Sequence, residues 1–266
     1  MFEAFYEMTH TPFTRDLPPA ALYASAEAEE IDSRLRYAAE RQWFAVVTGD
    51  CGTGKSTAIR RLHAQRDPAT YQVLYVADSK LTPRHFYKAL LAQLGCEAPF
   101  YRGDAKRPLH REIAILRGIH RLRSVAIVDE AHLLDREMLE ELRFLLNGAM
   151  DSASPLALIL VGQTELWDRL SRQAYTAIRQ RIDLQCRVPY LDRAQTAAYV
   201  QAHLTYAGTP QPIFADSALD AIYRYSSGAA RLINKVATHA LLYGAQQGHR
   251  VLDEPLVTRV IQGELA

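Results

Sequence analysis

The segment Gly49-Asp50-Cys51-Gly52-Thr53-Gly54-Lys55-Ser56-Thr57 carries the spacing G-x-x-x-x-G-K-S/T. Glycines in such a loop let the backbone curl until its N–H groups converge on an anion, and a helix starting at the lysine adds partial positive charge. That is phosphate chemistry. Residues Gly49 through Thr57 wrap the phosphates of a nucleotide, Lys55 reaches the β- and γ-phosphates, and the Ser56 hydroxyl ligates Mg2+. The acid this chemistry needs stands in Val125-Ala126-Ile127-Val128-Asp129-Glu130-Ala131-His132, where two carboxylates follow an apolar run. Asp129 suits a Mg2+ ligand, direct or through water, and Glu130 suits the base that orients and polarises an attacking water. Read alone, the same two acids also suit the start of a helix.

Both groups need rigid elements to hold them. Five short apolar runs, 44–48, 72–76, 125–128, 156–161 and 183–188, read as buried parallel strands, which are apolar on both faces because helices cover both. Helical patterns at 56–64, 83–94, 109–122, 136–149 and 165–172 alternate with them, and another, 26–41, precedes the first. This alternation predicts a doubly wound α/β domain. The phosphate loop then follows the first strand, and the acid pair ends the third, at the sheet edge where such folds bind ligands. Beyond Val188 only helical patterns remain, at 193–206, 215–225, 229–247 and 254–262. The expectation is a nucleotide-binding α/β domain over 1–188, with an N-terminal extension over 1–26, followed by a helical domain over 189–266.

Composition narrows the partners. The 266 residues carry a formal charge of +1, which excludes a bulk polycation coating nucleic acid or membrane. Five lysines stand against twenty-six arginines, a skew toward the side chain that binds phosphate and carboxylate in a fork, and one that a GC-rich genome also produces. The three cysteines, Cys51, Cys96 and Cys186, lack the spacing of a metal site or a disulfide framework. No signal-peptide layout and no apolar run near the roughly 18 residues of a membrane span is present, so a cytoplasmic location is expected.

With those motifs in view, the sequence resembles the AAA+ ATPases, in the branch shared by the general secretion pathway protein A (ExeA) type and the transposition regulators TniB, TnsC and IstB. The resemblance runs over nearly the whole chain. It rests on F-Y-x-M-T-x-x-P-F at Phe5–Phe13, L-Y at Leu22-Tyr23, the phosphate loop, V-D-E-A-H at Val128–His132, E-E-L-R-F-L-L-N at Glu140–Asn147, L-I-L-V-G-Q-T-E-L at Leu158–Leu166, R-Q-R-I at Arg179–Ile182 and G-A-A-R-L-I-N at Gly228–Asn234. It implies a P-loop AAA+ module, a five-stranded parallel sheet flanked by helices, with a small all-helical lid, binding ATP and Mg2+. It also implies roles for single residues. Gln163 matches sensor 1, at the γ-phosphate or the attacking water; a polar residue at a strand end also suits a plain turn. Arg181, or else Arg179, matches the arginine finger reaching a neighbouring subunit's nucleotide; either also suits a surface charge. Arg231 matches sensor 2 on the lid, or a helix-end cation. Tyr23 lies where this family packs the adenine, or is an ordinary buried aromatic.

The client is open between classes. One reading is a DNA-transposition regulator that forms a homo-oligomer, ring or helical filament, on double-stranded DNA when ATP-bound, and recruits or activates a transposase. Another is an ExeA-type secretion or envelope-assembly ATPase; a third is a helicase-loader-like ATPase. ExeA-type proteins usually continue into a membrane span and a peptidoglycan-binding region, and the end of this sequence at Ala266 without a span sets the expectation of the first reading. A DNA surface needs local positive charge, and residues 102–123 carry seven Lys or Arg against two acids. Lys80, Thr82, Arg84, Lys106 and Arg107 are the candidate phosphate contacts; for Arg117, Arg121 and Arg123 a solvated helix face is the simpler reading. No base-reading motif is visible, so binding is expected to be phosphate-led.

Overall fold

Each of the five apolar runs forms a strand, and all neighbouring pairs are parallel. The structure, a computed structural model, describes residues 2–78, 81–97, 102–146, 154–209 and 211–265, with only the backbone described at 102–104. Its elements in chain order are α1 (Phe2–Phe5), α2 (Ala26–Arg41), β1 (Phe44–Thr48), α3 (Lys55–Ala64), β2 (Tyr71–Val76), α4 (Pro83–Gln93), α5 (Arg102–Gly118), β3 (Arg123–Val128) and α6 (Arg136–Leu145). They continue with β4 (Ala157–Gly162), α7 (Thr164–Leu170), α8 (Thr176–Arg179), β5 (Leu184–Arg187), α9 (Arg193–Ala207), α10 (Asp216–Ser226), α11 (Ala230–Gln247) and α12 (Glu254–Val260). The strand order is β2-β3-β4-β1-β5. Register aligns Val46 with Leu160, and Val128 with Leu160, so β1 and β3 flank β4 and all three end at one edge.

The chain divides into two compact units. The first to consider holds 28–49 and 58–188, with a core on each face of the sheet. Strand alternation assigns the faces. Phe44, Val46, Ala126, Val128, Leu158 and Leu160 pack toward α4, α5 and α6, while Ala45, Val47, Val125, Ile127, Ile159 and Val161 pack with Ile31, Leu35, Ile59 and Leu62 of α2 and α3. Helix α5 differs from the sequence expectation. The pattern predicts a start at Leu109, after Pro108, yet the helix begins at Arg102 and runs through the proline. A proline inside a helix removes one backbone bond at a cost of about 3 kcal/mol. Burial of Ala105, Leu109 and Ile113, spaced four residues apart on one face, offsets that cost. The predicted helix over 136–149 is seen to Leu145, and its predicted end lies outside the described residues.

The second unit holds Met1–Glu27, Asp50–Thr57 and Pro189–Ala266. It groups the N-terminal segment and the phosphate loop with the lid helices. The physical reason is apolar burial. Phe2, Tyr6 and Phe13 are buried in one core with Val200, Leu204, Ile233, Val236, Leu241 and Val257. The Thr9 N–H donates to the Ala207 carbonyl (2.8 Å), the Tyr6 hydroxyl to the His249 carbonyl (2.9 Å), and the Phe13 N–H to His203 Nδ1 (3.0 Å). Phe13 stacks on the His203 ring with centroids 4.9 Å apart. Burial holds the His203 imidazole down to about 4, so it is neutral and accepts that bond. Helix α9 opens with a capping box, in which Asp192 accepts from the Gln195 N–H and the Gln195 side chain accepts from the Asp192 N–H.

Candidate active site

Most of the phosphate loop, Asp50–Thr57, belongs to the lid-containing unit. In the phosphate loop, the Asp50 carbonyl is a hub: it accepts from Lys55 Nζ (2.9 Å), from the Thr53 hydroxyl (3.0 Å) and from the Thr53 N–H (3.4 Å). Those bonds fix the curl, and Gly52, with φ at +83°, supplies backbone that residues with a Cβ avoid. Helix α11 begins on this loop. The Arg231 N–H donates to the Gly52 carbonyl (3.2 Å), and its guanidinium donates to Cys51 Sγ (3.1 Å). The helix start is set by Gly228, at φ +80°, because the Leu191 carbonyl oxygen stands 1.8 Å from where a Cβ at this position would lie. Ser56 is exposed at the start of α3. Tyr23 packs edge-on against Tyr199 with centroids 5.8 Å apart, and the Tyr199 hydroxyl donates to Asn234 Oδ1 (2.9 Å). Sequence reasoning missed Tyr190, whose phenol is pushed up by burial and by neighbouring Asp50 and Cys51. Its place just past the last strand, after Val188-Pro189, was the available signal.

The acid pair belongs to the α/β unit. Asp129 is buried at the end of β3, with Oδ1 accepting from the Glu130 N–H (2.8 Å) and Oδ2 from the Tyr75 hydroxyl (2.8 Å). Burial first, and then the bond to Asp129, push the Tyr75 phenol well above its ordinary value, so it stays a donor. Tyr75 was also missed; its signal is the alternation of β2, which buries Leu74 and Val76 and leaves Tyr75 exposed. Glu130 has φ +52° and ψ +30°, a left-handed conformation rare for a residue with a side chain. Its side chain is 51% exposed, against 8% for the neighbouring His132. One carboxylate is thus clamped and the other open to water, the division of labour expected of a metal ligand and a base. Gln163 follows β4, and its Nε2 lies 3.0 Å from His132 Nε2, so it joins the acid pair through the histidine.

The remaining candidates separate. Arg179 is exposed and donates to the Ser171 carbonyl (2.9 Å), while Arg181 is half-buried. Thr82 caps α4, accepting from the His85 N–H, and Arg84 and Arg107 are exposed. Lys106 is matched locally: it pairs with buried Glu141 (3.3 Å), which also accepts from the Tyr87 hydroxyl, and it sits over the Phe144 ring. Lys80 lies outside the described residues. Among the described residues no group of three or more His, Cys, Asp or Glu could hold a metal, and no helix is long and apolar enough to cross a membrane. The residues present fit Mg2+ all the same. That ion takes hard oxygen donors and only one or two from protein, and among the described residues each Asp129 oxygen accepts one hydrogen bond, leaving lone pairs.

The family model for the AAA domain matches residues 38–170. The chain belongs to the AAA ATPase family. It is similar to general secretion pathway protein A of Aeromonas hydrophila, 31% identical over 257 residues, covering 95% of this chain and 46% of that protein. It is similar to the Mu-like prophage FluMu DNA transposition protein B of Haemophilus influenzae, 26% identical over 188 residues, covering 68% of this chain and 61% of that one. The chain therefore spans less than two thirds of either relative's length. Among solved structures, Cdc6p from Pyrobaculum aerophilum shares the fold, with TM-score 0.70 and 16% identity, covering 90% of this chain and 67% of that chain. As an AAA ATPase, the protein is an ATP-hydrolysing P-loop enzyme.

Proposed function

We propose that this AAA ATPase regulates DNA transposition: ATP-bound copies oligomerise as a ring or helical filament on double-stranded DNA and recruit or activate a transposase, and hydrolysis resets the assembly. The observation that carries the proposal is the similarity to a DNA transposition protein B over 68% of the chain. In this reading Lys55 and the loop N–H groups bind the phosphates, and Tyr23 packs near the base. Mg2+, when bound, neutralises phosphate charge and polarises the γ-phosphoryl group, with Ser56 and Asp129 as its protein ligands. Glu130, open to solvent, orients the attacking water and accepts its proton, Gln163 senses the γ-phosphate, and Arg231 clamps the nucleotide from the lid. Arg181, the better match to the family's finger position in R-Q-R-I, serves a neighbouring subunit's nucleotide.

For DNA, Thr82, Arg84 and Arg107 are the exposed candidates, with Lys80 beside them in sequence. Lys106 contributes less because Glu141 already neutralises it. A second reading, a secretion or envelope-assembly ATPase, is favoured by the 31% identity to general secretion pathway protein A. The two part on one experiment: binding of the full chain to labelled duplex DNA with a non-hydrolysable ATP analogue at low salt. Nucleotide-dependent binding supports transposition, and its absence favours secretion.

A further inference from the structure

We infer that His132 is a positioning residue that couples Gln163 to Glu130. The inference rests on the reading of Glu130 as base and Gln163 as sensor. Three observations carry it. Glu130 is held left-handed at the head of the turn Ala131–Leu133, which turns the chain so that His132 comes back beside the Glu130 side chain. The His132 side chain is 8% exposed, and its Nε2 lies 3.0 Å from the Gln163 amide nitrogen. An amide nitrogen only donates, so Nε2 accepts and the ring proton resides on Nδ1. That Nδ1 is buried, has no hydrogen-bond partner among the described residues, and lies 3.5 Å from Glu130 Oε2.

A buried donor 3.5 Å from a half-exposed carboxylate stands just outside hydrogen-bond range. A shift of about half an ångström in the Glu130 carboxylate brings it within hydrogen-bond range. The three groups then form one chain in a single direction, from the Gln163 amide to His132 Nε2, and from Nδ1–H to Glu130, each bond polarising the next. When the second amide hydrogen of Gln163 engages the γ-phosphate or the attacking water, the ring is fixed and Glu130 is held in one orientation. No proton travels along the chain. The water proton goes to Glu130, and His132 only holds that carboxylate.

The test is steady-state ATP hydrolysis by the full chain with Mg2+, comparing His132→Ala, His132→Asn, Gln163→Ala, the double variant and Glu130→Gln. The expected result for His132→Ala is a fall in kcat of about tenfold or more, with KM for ATP changed less than about threefold. The double variant should be no slower than the slower single variant, because both break one chain. His132→Asn can place an N–H where Nδ1 stands, so it should recover part of the lost kcat, which a purely structural defect would not predict. Wild-type kcat in His132→Ala, or losses that multiply in the double variant, would overturn the coupling. If His132→Ala does not fold, the asparagine variant and its cycle with Gln163→Ala decide the matter alone. Undiminished turnover in Glu130→Gln would instead remove the underlying reading of Glu130.

Discussion

The Arg231 guanidinium donates to the sulfur of Cys51 at 3.1 Å, while its backbone N–H donates to Gly52 at 3.2 Å. A lid helix therefore starts on the phosphate loop itself, and one residue anchors it twice. Removing the side chain leaves the backbone bond and takes away the cation. Arg231→Ala should weaken binding of a fluorescent ATP analogue by about tenfold, the effect of one charge-assisted contact, without unfolding the unit. Unchanged affinity and turnover would exclude Arg231 from the site.

Gly228 sets where that helix begins. A methyl group there meets the Leu191 carbonyl oxygen at 1.8 Å, at a backbone φ of +80°. Gly228→Ala should cost on the order of 3 kcal/mol and lower Tm, with ATP affinity falling alongside because Arg231 moves with the helix start. Thermal unfolding with and without nucleotide measures both.

The N-terminal segment makes stability depend on pH. Neutral His203 accepts the Phe13 N–H and is held down to about 4 by burial, below the ordinary histidine value of about 6.5. A depressed folded-state value means the stabilisation is complete above about 6.5 and is lost as pH falls toward about 4, up to roughly 3 kcal/mol in all. His203→Asn lacks the titrating ring. Denaturant midpoints across that window should fall more steeply for the wild type than for the variant, and parallel curves would refute the assignment.

Much of this site was legible because its residues are adjacent in sequence. The phosphate loop and the Asp129-Glu130 pair are local motifs, and the strands that carry them are apolar runs whose alternation sorts Phe44 and Val46 to one face and Ala45 and Val47 to the other. What escaped depends on partners far away in the chain. Tyr75 finds Asp129 54 residues on, and Phe13 finds His203 190 residues on, so neither aromatic announces a role by spacing. Pro108 misled for the opposite reason: a local stop signal lost to the burial of Ala105 and Leu109 in the core. His132 stands in V-D-E-A-H, but only the turn at Glu130 reveals what it touches.

Arg181 and Arg179 stand two residues apart, and substitution tells their roles apart. Arg179 donates to Ser171 within its own chain. Arg181→Ala should keep ATP affinity and lose about a hundredfold or more of turnover, whereas Arg179→Ala should change turnover little. Mixing Arg181→Ala with Lys55→Ala chains, each inactive alone, should restore some hydrolysis if sites are shared between subunits. Wild-type turnover in Arg181→Ala would contradict the finger role.

The central claim is that ATP makes this nearly neutral chain bind duplex DNA through many weak phosphate contacts. The most direct measurement is fluorescence anisotropy of a labelled duplex of arbitrary sequence, titrated with the full chain under a non-hydrolysable ATP analogue, ADP or no nucleotide, over a series of salt concentrations. The account predicts binding with the ATP analogue alone, with log K falling against log salt by about 0.9 for each phosphate neutralised, and a shallower slope for Arg84→Ala and Arg107→Ala. No binding at low salt with the analogue, by a chain shown to bind that analogue, would contradict it.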